Sequence, residues 1–100
     1  MSFSAKVPAE DEYFGFDFSA RLATGETLSS ASFAIAINSG GVDAGVASMI
    51  SGAAEIDGSI AKQLVIDGVA GVTYRLTGTV VTSAGQMLVE SADLPVAAVI

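Results

Sequence analysis

One hundred residues suffice for one domain, able to bury roughly 60 to 70% of the surface its unfolded chain exposes. The net charge is −7 and the four basic residues, Lys6, Arg21, Lys62 and Arg75, stand singly, which argues against phosphate-neutralising nucleic-acid recognition and against an anionic membrane. Cysteine and histidine are both absent, which removes disulfides, thiolate metal sites and the usual general base.

Residues 1–12 read as an N-terminal arm: Pro8 and the acidic Glu10, Asp11 and Glu12 leave little to bury, so the segment is either a solvated terminus or one that docks on a partner. Its first eight residues lack the basic-then-apolar order of a signal peptide. No apolar run approaches the ~20 residues that span a bilayer. Synthesis and folding in the cytoplasm are therefore expected.

From Tyr13 the pattern changes. Phe14, Phe16, Phe18, Ala20 and Leu22 alternate with Gly15, Asp17, Ser19 and Arg21, the period of a strand with one buried face. After a break at Thr24-Gly25-Glu26, Phe33, Ile35 and Ile37 alternate with Ala34 and Ala36, predicting a second strand over about 31–38. Asn38-Ser39-Gly40-Gly41 is turn chemistry. Residues 42–57 are ambiguous: Val46–Ile50 reads as a short strand, a turn at Ser51-Gly52 and a second strand to Ile56, yet its alanines suit a turn of helix equally well.

Asp57-Gly58 marks a further turn. In the next strand Ile60, Lys62, Leu64 and Ile66 alternate with Ala61, Gln63 and Val65, so both faces are partly apolar until Asp67-Gly68 closes it. Val72, Tyr74, Leu76 and Val80 then share one parity across a long β-branched run. Thr82-Ser83-Ala84-Gly85 turns it into Gln86–Glu90, a hairpin. Asp93-Leu94-Pro95 is expected to separate that strand from a last apolar segment, Val96–Ile100.

Strand signals with no helix of ten residues predict an all-β antiparallel sandwich of about seven strands, with a small closed barrel as the rival. The run Asp67 to Tyr74 favours the sandwich. A tyrosine early in a long penultimate strand, preceded by a turn of small residues, is the pattern of the immunoglobulin and fibronectin III corner, where the hydroxyl bonds back to the turn. The expected organisation is an arm, 1–12, and one immunoglobulin-like domain, 13–100, whose core holds Phe14, Phe16, Phe18, Phe33, Ile35, Ile37, Tyr74 and Leu76.

A catalytic set is missing from this sequence. Ser59 and Lys62 have the Ser-x-x-Lys spacing, but on a strand residues three apart point to opposite faces. The carboxylates Glu10–Glu12 and Glu55 with Asp57 read as solvated surface. Asp43 with Gly45 is too sparse for a calcium loop, and neither Gly40-Gly41 nor Gly68–Gly71 is followed by the helix and lysine of a phosphate loop. No catalytic residue, cofactor or metal is expected. With no Trp, only Tyr13 is free to act as a sugar platform.

Several stretches together resemble a known family: Lys6-x-Pro8, the run Tyr13 to Ala23, Gly25 to Ser30, Met49 to Gly52, Gly71-x-x-Tyr74-x-Leu76, and Val81 to Gly85. Their order resembles the fiber-tail adaptor proteins of tailed bacteriophages. The resemblance implies a multicopy virion structural protein with an immunoglobulin-like fold and no catalytic residues, partnered by other phage structural proteins and by copies of itself. Alternatives are a capsid decoration protein and a carbohydrate-binding module. On the adaptor reading the arm and final strand dock on neighbours, with Lys6, Pro8, Tyr13, Val96, Val99 and Ile100 as candidate contacts.

Overall fold

The computed structural model describes residues 3, 5–8, 10–41 and 45–97. Among the described residues six strands run antiparallel to their neighbours: β1 (Glu12–Asp17), β2 (Leu28–Ser39), β3 (Ile50–Asp57), β4 (Ile60–Val65), β5 (Thr73–Thr82) and β6 (Met87–Pro95). They form two three-stranded sheets, ordered β1-β4-β3 and β2-β5-β6, packed face to face as a β-sandwich. The described residues include no helix beyond two 3-10 turns, Ser19–Arg21 and Val46–Met49.

The alternation of the first strand lasts only to Asp17. There the Asp17 carboxylate accepts hydrogen bonds from the Ser19 N–H (2.9 Å) and the Ser59 hydroxyl (3.0 Å), and Phe18 leaves extended geometry at φ −96°, ψ 6°. A local side-chain acceptor thus outcompetes the ladder and starts a 3-10 turn. Phe18 stays inward and fully buried, whereas Ala20 is exposed and Leu22 only half-buried. In the ambiguous middle both readings are partly realised: Val46–Met49 is a turn of helix, and the expected turn at Ser51-Gly52 is an irregularity within a single continuous β3. Gly52 takes φ +72° there, and buried Gln63 donates its amide to the Ser51 and Gly52 carbonyls (2.9 and 3.2 Å). The anticipated break at Asp93-Leu94-Pro95 is absent. These residues complete β6, because Pro95 sits at the strand end, where a missing N–H is tolerated.

Two clusters fill the space between the sheets. One joins Phe14, Met49, Val65, Val72, Tyr74, Leu76, Leu94 and Val96, with Ile35 and Ile37 against it; the other joins Phe16, Phe18, Leu28, Ala61, Val80 and Ala92. Each large apolar side chain so buried contributes about 1.5–3 kcal/mol. Phe33 touches both clusters and stacks on Phe16 with ring centroids 6.0 Å apart and planes 8° apart. Gly78 makes the room: a Cβ at that position would lie 2.9 Å from Phe33 and 3.0 Å from Phe16.

The tyrosine corner is present. Tyr74 is fully buried at the start of β5, and its hydroxyl accepts a hydrogen bond from the Val69 N–H (2.9 Å). That bond pins the crossover from β4 to β5, where Asp67 adopts φ +58°.

Candidate interaction surfaces

The outer face of β1-β4-β3 is set by strand register. Tyr13 lies beside Leu64, Gly15 beside Lys62, and Asp17 beside Ile60; across β4, Lys62 pairs with Glu55 and Ile60 with Asp57. The Tyr13 hydroxyl donates to Glu55 Oε2 at 2.6 Å, while Lys62 Nζ stands 5.4 Å from the centre of the Tyr13 ring. One aromatic, one cation and one carboxylate thereby span the sheet from edge to edge. The hydrogen bond to Glu55, reinforced by its negative charge, raises the Tyr13 phenol above its ordinary pKa. With an ammonium over one face, Tyr13 is poorly placed as a sugar platform. Tyr13 and Ile60 remain 48% and 40% exposed, which makes this face part polar and part apolar.

The outer face of β2-β5-β6 differs. Its central rows pair Ser32 with Thr79, Ala34 with Thr77 and Thr77 with Ser91, all small or β-branched and uncharged. At one end Arg75 binds Asp93 (3.0 Å), which also accepts from the Asn38 amide (3.2 Å). At the other end Val81 lies beside Met87, and Val89 follows two residues on; Met87 and Val89 are 68% and 49% exposed. Arg21 closes this corner, reaching Glu90 and the Val89 carbonyl, each at 3.0 Å. The two faces point away from one another and carry different chemistry.

The arm is turned inward on its own domain. Phe3 donates its N–H to the Asp93 carbonyl (2.8 Å) and sets its ring against Phe14 and Phe16, with centroids 5.0 and 5.5 Å away. Lys6 and Val96 form a parallel bridge, closed by Lys6 N–H to Pro95 O (3.0 Å) and Ala97 N–H to Lys6 O (2.7 Å). Lys6 itself is fully buried, its ammonium donating to the carbonyls of Val7 (2.9 Å), Pro8 (3.4 Å) and Asp67 (2.7 Å). Of the sequence-derived contact residues, Tyr13 is exposed, Pro8 is half-buried, and Lys6 and Val96 are committed inside the chain. Val99 and Ile100 lie outside the described residues, as does Asp43. Composition could not reveal the buried lysine, because its third acceptor, Asp67, is 61 residues away.

Among the described residues no three Asp or Glu side chains converge to hold a metal ion. The groove between β1 and β6 is lined by Gly15, Phe16, Asp17 and Glu90, and its two carboxylates are already engaged, Asp17 by Ser19 and Ser59 and Glu90 by Arg21. Asp17 lies below its ordinary pKa, chiefly through the Ser19 N–H bond and then the Ser19 and Ser59 side chains, which marks a structural turn. No helix among the described residues is long and apolar enough to cross a membrane.

A family model described as podophage GP4 fiber-tail adaptor protein gp77 matches residues 6–95, nearly the whole chain. No curated protein matches.

Proposed function

The chain belongs to the podophage GP4 fiber-tail adaptor family, and on that premise we propose that it works in many copies as a non-enzymatic joint between tail and fiber. Membership makes it a phage structural adaptor and a virion component associated with tail and fiber proteins. The observation that carries the finer reading is the pair of opposed outer faces. One presents Tyr13, Lys62, Glu55 and Ile60; the other presents a field of Ser, Thr and Ala with an apolar corner at Met87 and Val89. A joint needs two separable surfaces, and a sandwich whose core is closed between its sheets leaves both outer faces for binding. The chain folds in the host cytoplasm, where the tail is assembled, and Tyr13 together with the C-terminal residues Val99 and Ile100 contributes contacts to neighbours.

An amber mutation in this gene tests the role. Particles grown without suppression should keep heads and tails but lack fibers in electron micrographs, and purified chain added to them should restore fiber attachment. Fully fibered, infectious particles made without the protein would sink the proposal. Tyr13→Ala and Val89→Glu, on opposite faces, should each block one junction while sparing the other.

A further inference from the structure

On the side of the sandwich where β1 faces β6 the arm covers the stretch beside Phe14, Phe16 and the end of β6, next to the groove at Gly15, Phe16, Asp17 and Glu90. Phe3 is packed against both core clusters, so an empty seat would wet Phe14 and Phe16. Every copy must therefore have this seat occupied. The occupant is unusually self-contained: of the three carbonyls that hold the buried Lys6 ammonium, those of Val7 and Pro8 belong to the arm itself, and the domain supplies only Asp67. Among the described residues the arm is also held by backbone pairing along the end of β6, which reads no side chain.

The return from arm to β1 is held by a single local turn. Glu10 N–H bonds to Val7 O (3.0 Å), and Val7 N–H bonds to Glu10 Oε1 (3.0 Å), on an exposed carboxylate. Pro8 and the consecutive acids Glu10, Asp11 and Glu12 occupy this hinge, and like charges in series favour an extended connection.

We propose that the seat between β1 and β6 is an exchange socket, in which the arm of a second copy of this chain replaces the chain's own. The contacts at the socket are the same in either arrangement, so only the connection changes. A short tether gives the chain's own arm an effective concentration on the order of millimolar, so exchange needs copies held side by side. This rests on the multicopy reading above only for that crowding. The phage experiment reads fiber attachment and the one below reads arm position in purified protein, so either can fail alone.

The chain has no cysteine, which permits a clean test in the full-length protein. Val7 and Ala97 each lie one position beyond a partner of the Lys6–Val96 bridge, and the Ala97 N–H bonds to the Lys6 carbonyl that precedes Val7. A size-tagged Val7→Cys chain is mixed with an untagged Ala97→Cys chain and oxidised at total concentrations that rise into the millimolar range, where a second copy competes with the tethered arm. Exchange predicts a disulfide heterodimer on non-reducing gels, formed several-fold faster than from a control mixture of Ser32→Cys with Ala97→Cys, and increasing with concentration. The double variant Val7→Cys/Ala97→Cys should also cross-link, verifying the register. Heterodimer formation no faster than the control overturns the proposal, as does failure of the double variant to form any disulfide.

Discussion

Replacing Tyr74 with phenylalanine removes the corner hydroxyl. The ring is fully buried in the core and keeps its packing; what disappears is the oxygen that accepts the Val69 N–H at 2.9 Å. A buried donor left without its partner costs about 1–3 kcal/mol. Val69 is 41% exposed, so water can reach part of the orphaned group, and the lower part of the range, about 1–2 kcal/mol, applies. For a domain of this size that corresponds to a fall in Tm of roughly 5–15 °C. Urea denaturation should show a lower midpoint with an unchanged slope, because the same surface is exposed on unfolding. Tyr74→Ala, which also empties the core, should cost about 3–5 kcal/mol. Tyr74→Phe with wild-type Tm and midpoint would refute the idea that this bond pins the crossover.

Gly78→Ala should destabilise by about 1–3 kcal/mol, since its methyl group would collide with the stacked Phe16 and Phe33 rings; thermal melting reads the loss. Lys6→Ala should cost about 2–5 kcal/mol by removing a fully buried side chain and the donor to three carbonyls, and hydrogen exchange should show the end of β6 losing protection. Asp17 and Glu26 have pKa values lowered in the fold, Asp17 first by the Ser19 N–H and Glu26 first by the Thr82 hydroxyl. Their stabilisation is present above the unfolded carboxylate pKa and is lost as pH falls through the folded values, so Tm should drop on acidification; Asp17→Asn should flatten that limb. Tyr13 is shifted the other way, so its contribution holds below the unfolded phenol pKa and disappears at strongly alkaline pH, an effect that Tyr13→Phe should abolish.

Much of the architecture was legible because strand periodicity is local. Phe14, Phe16 and Phe18 alternate with polar or small residues, and all three are buried. Tyr74, Leu76 and Val80 share a parity, and all three are buried too. The hairpin after Tyr74 was signalled by Thr82 to Gly85, and Gly85 indeed takes φ +84° in that turn. The family resemblance, carried by short ordered motifs, agrees with the family model that matches the chain. The surfaces were less legible. Tyr13 stood out as a lone aromatic, but its hydrogen bond to Glu55 across the sheet and its contact with Lys62 depend on a register among three strands that no single segment encodes.

By itself, then, the sequence determined an all-β chain, its principal strands and turns, the inward aromatic row and the corner tyrosine, since each follows from spacing within a few residues. Tertiary structure alone decided three things. In β4 both faces are partly apolar, and packing against the other sheet turned Ala61, Gln63 and Val65 inward, leaving Ile60 exposed. In β6 pairing with β5 carried the strand through to Pro95. In the arm, a charge that composition places in water is buried, because carbonyls of the arm and of Asp67, 61 residues further on, converge on Lys6 and replace its hydration. Each outcome depends on which distant groups arrive at a position, and local periodicity holds no record of that.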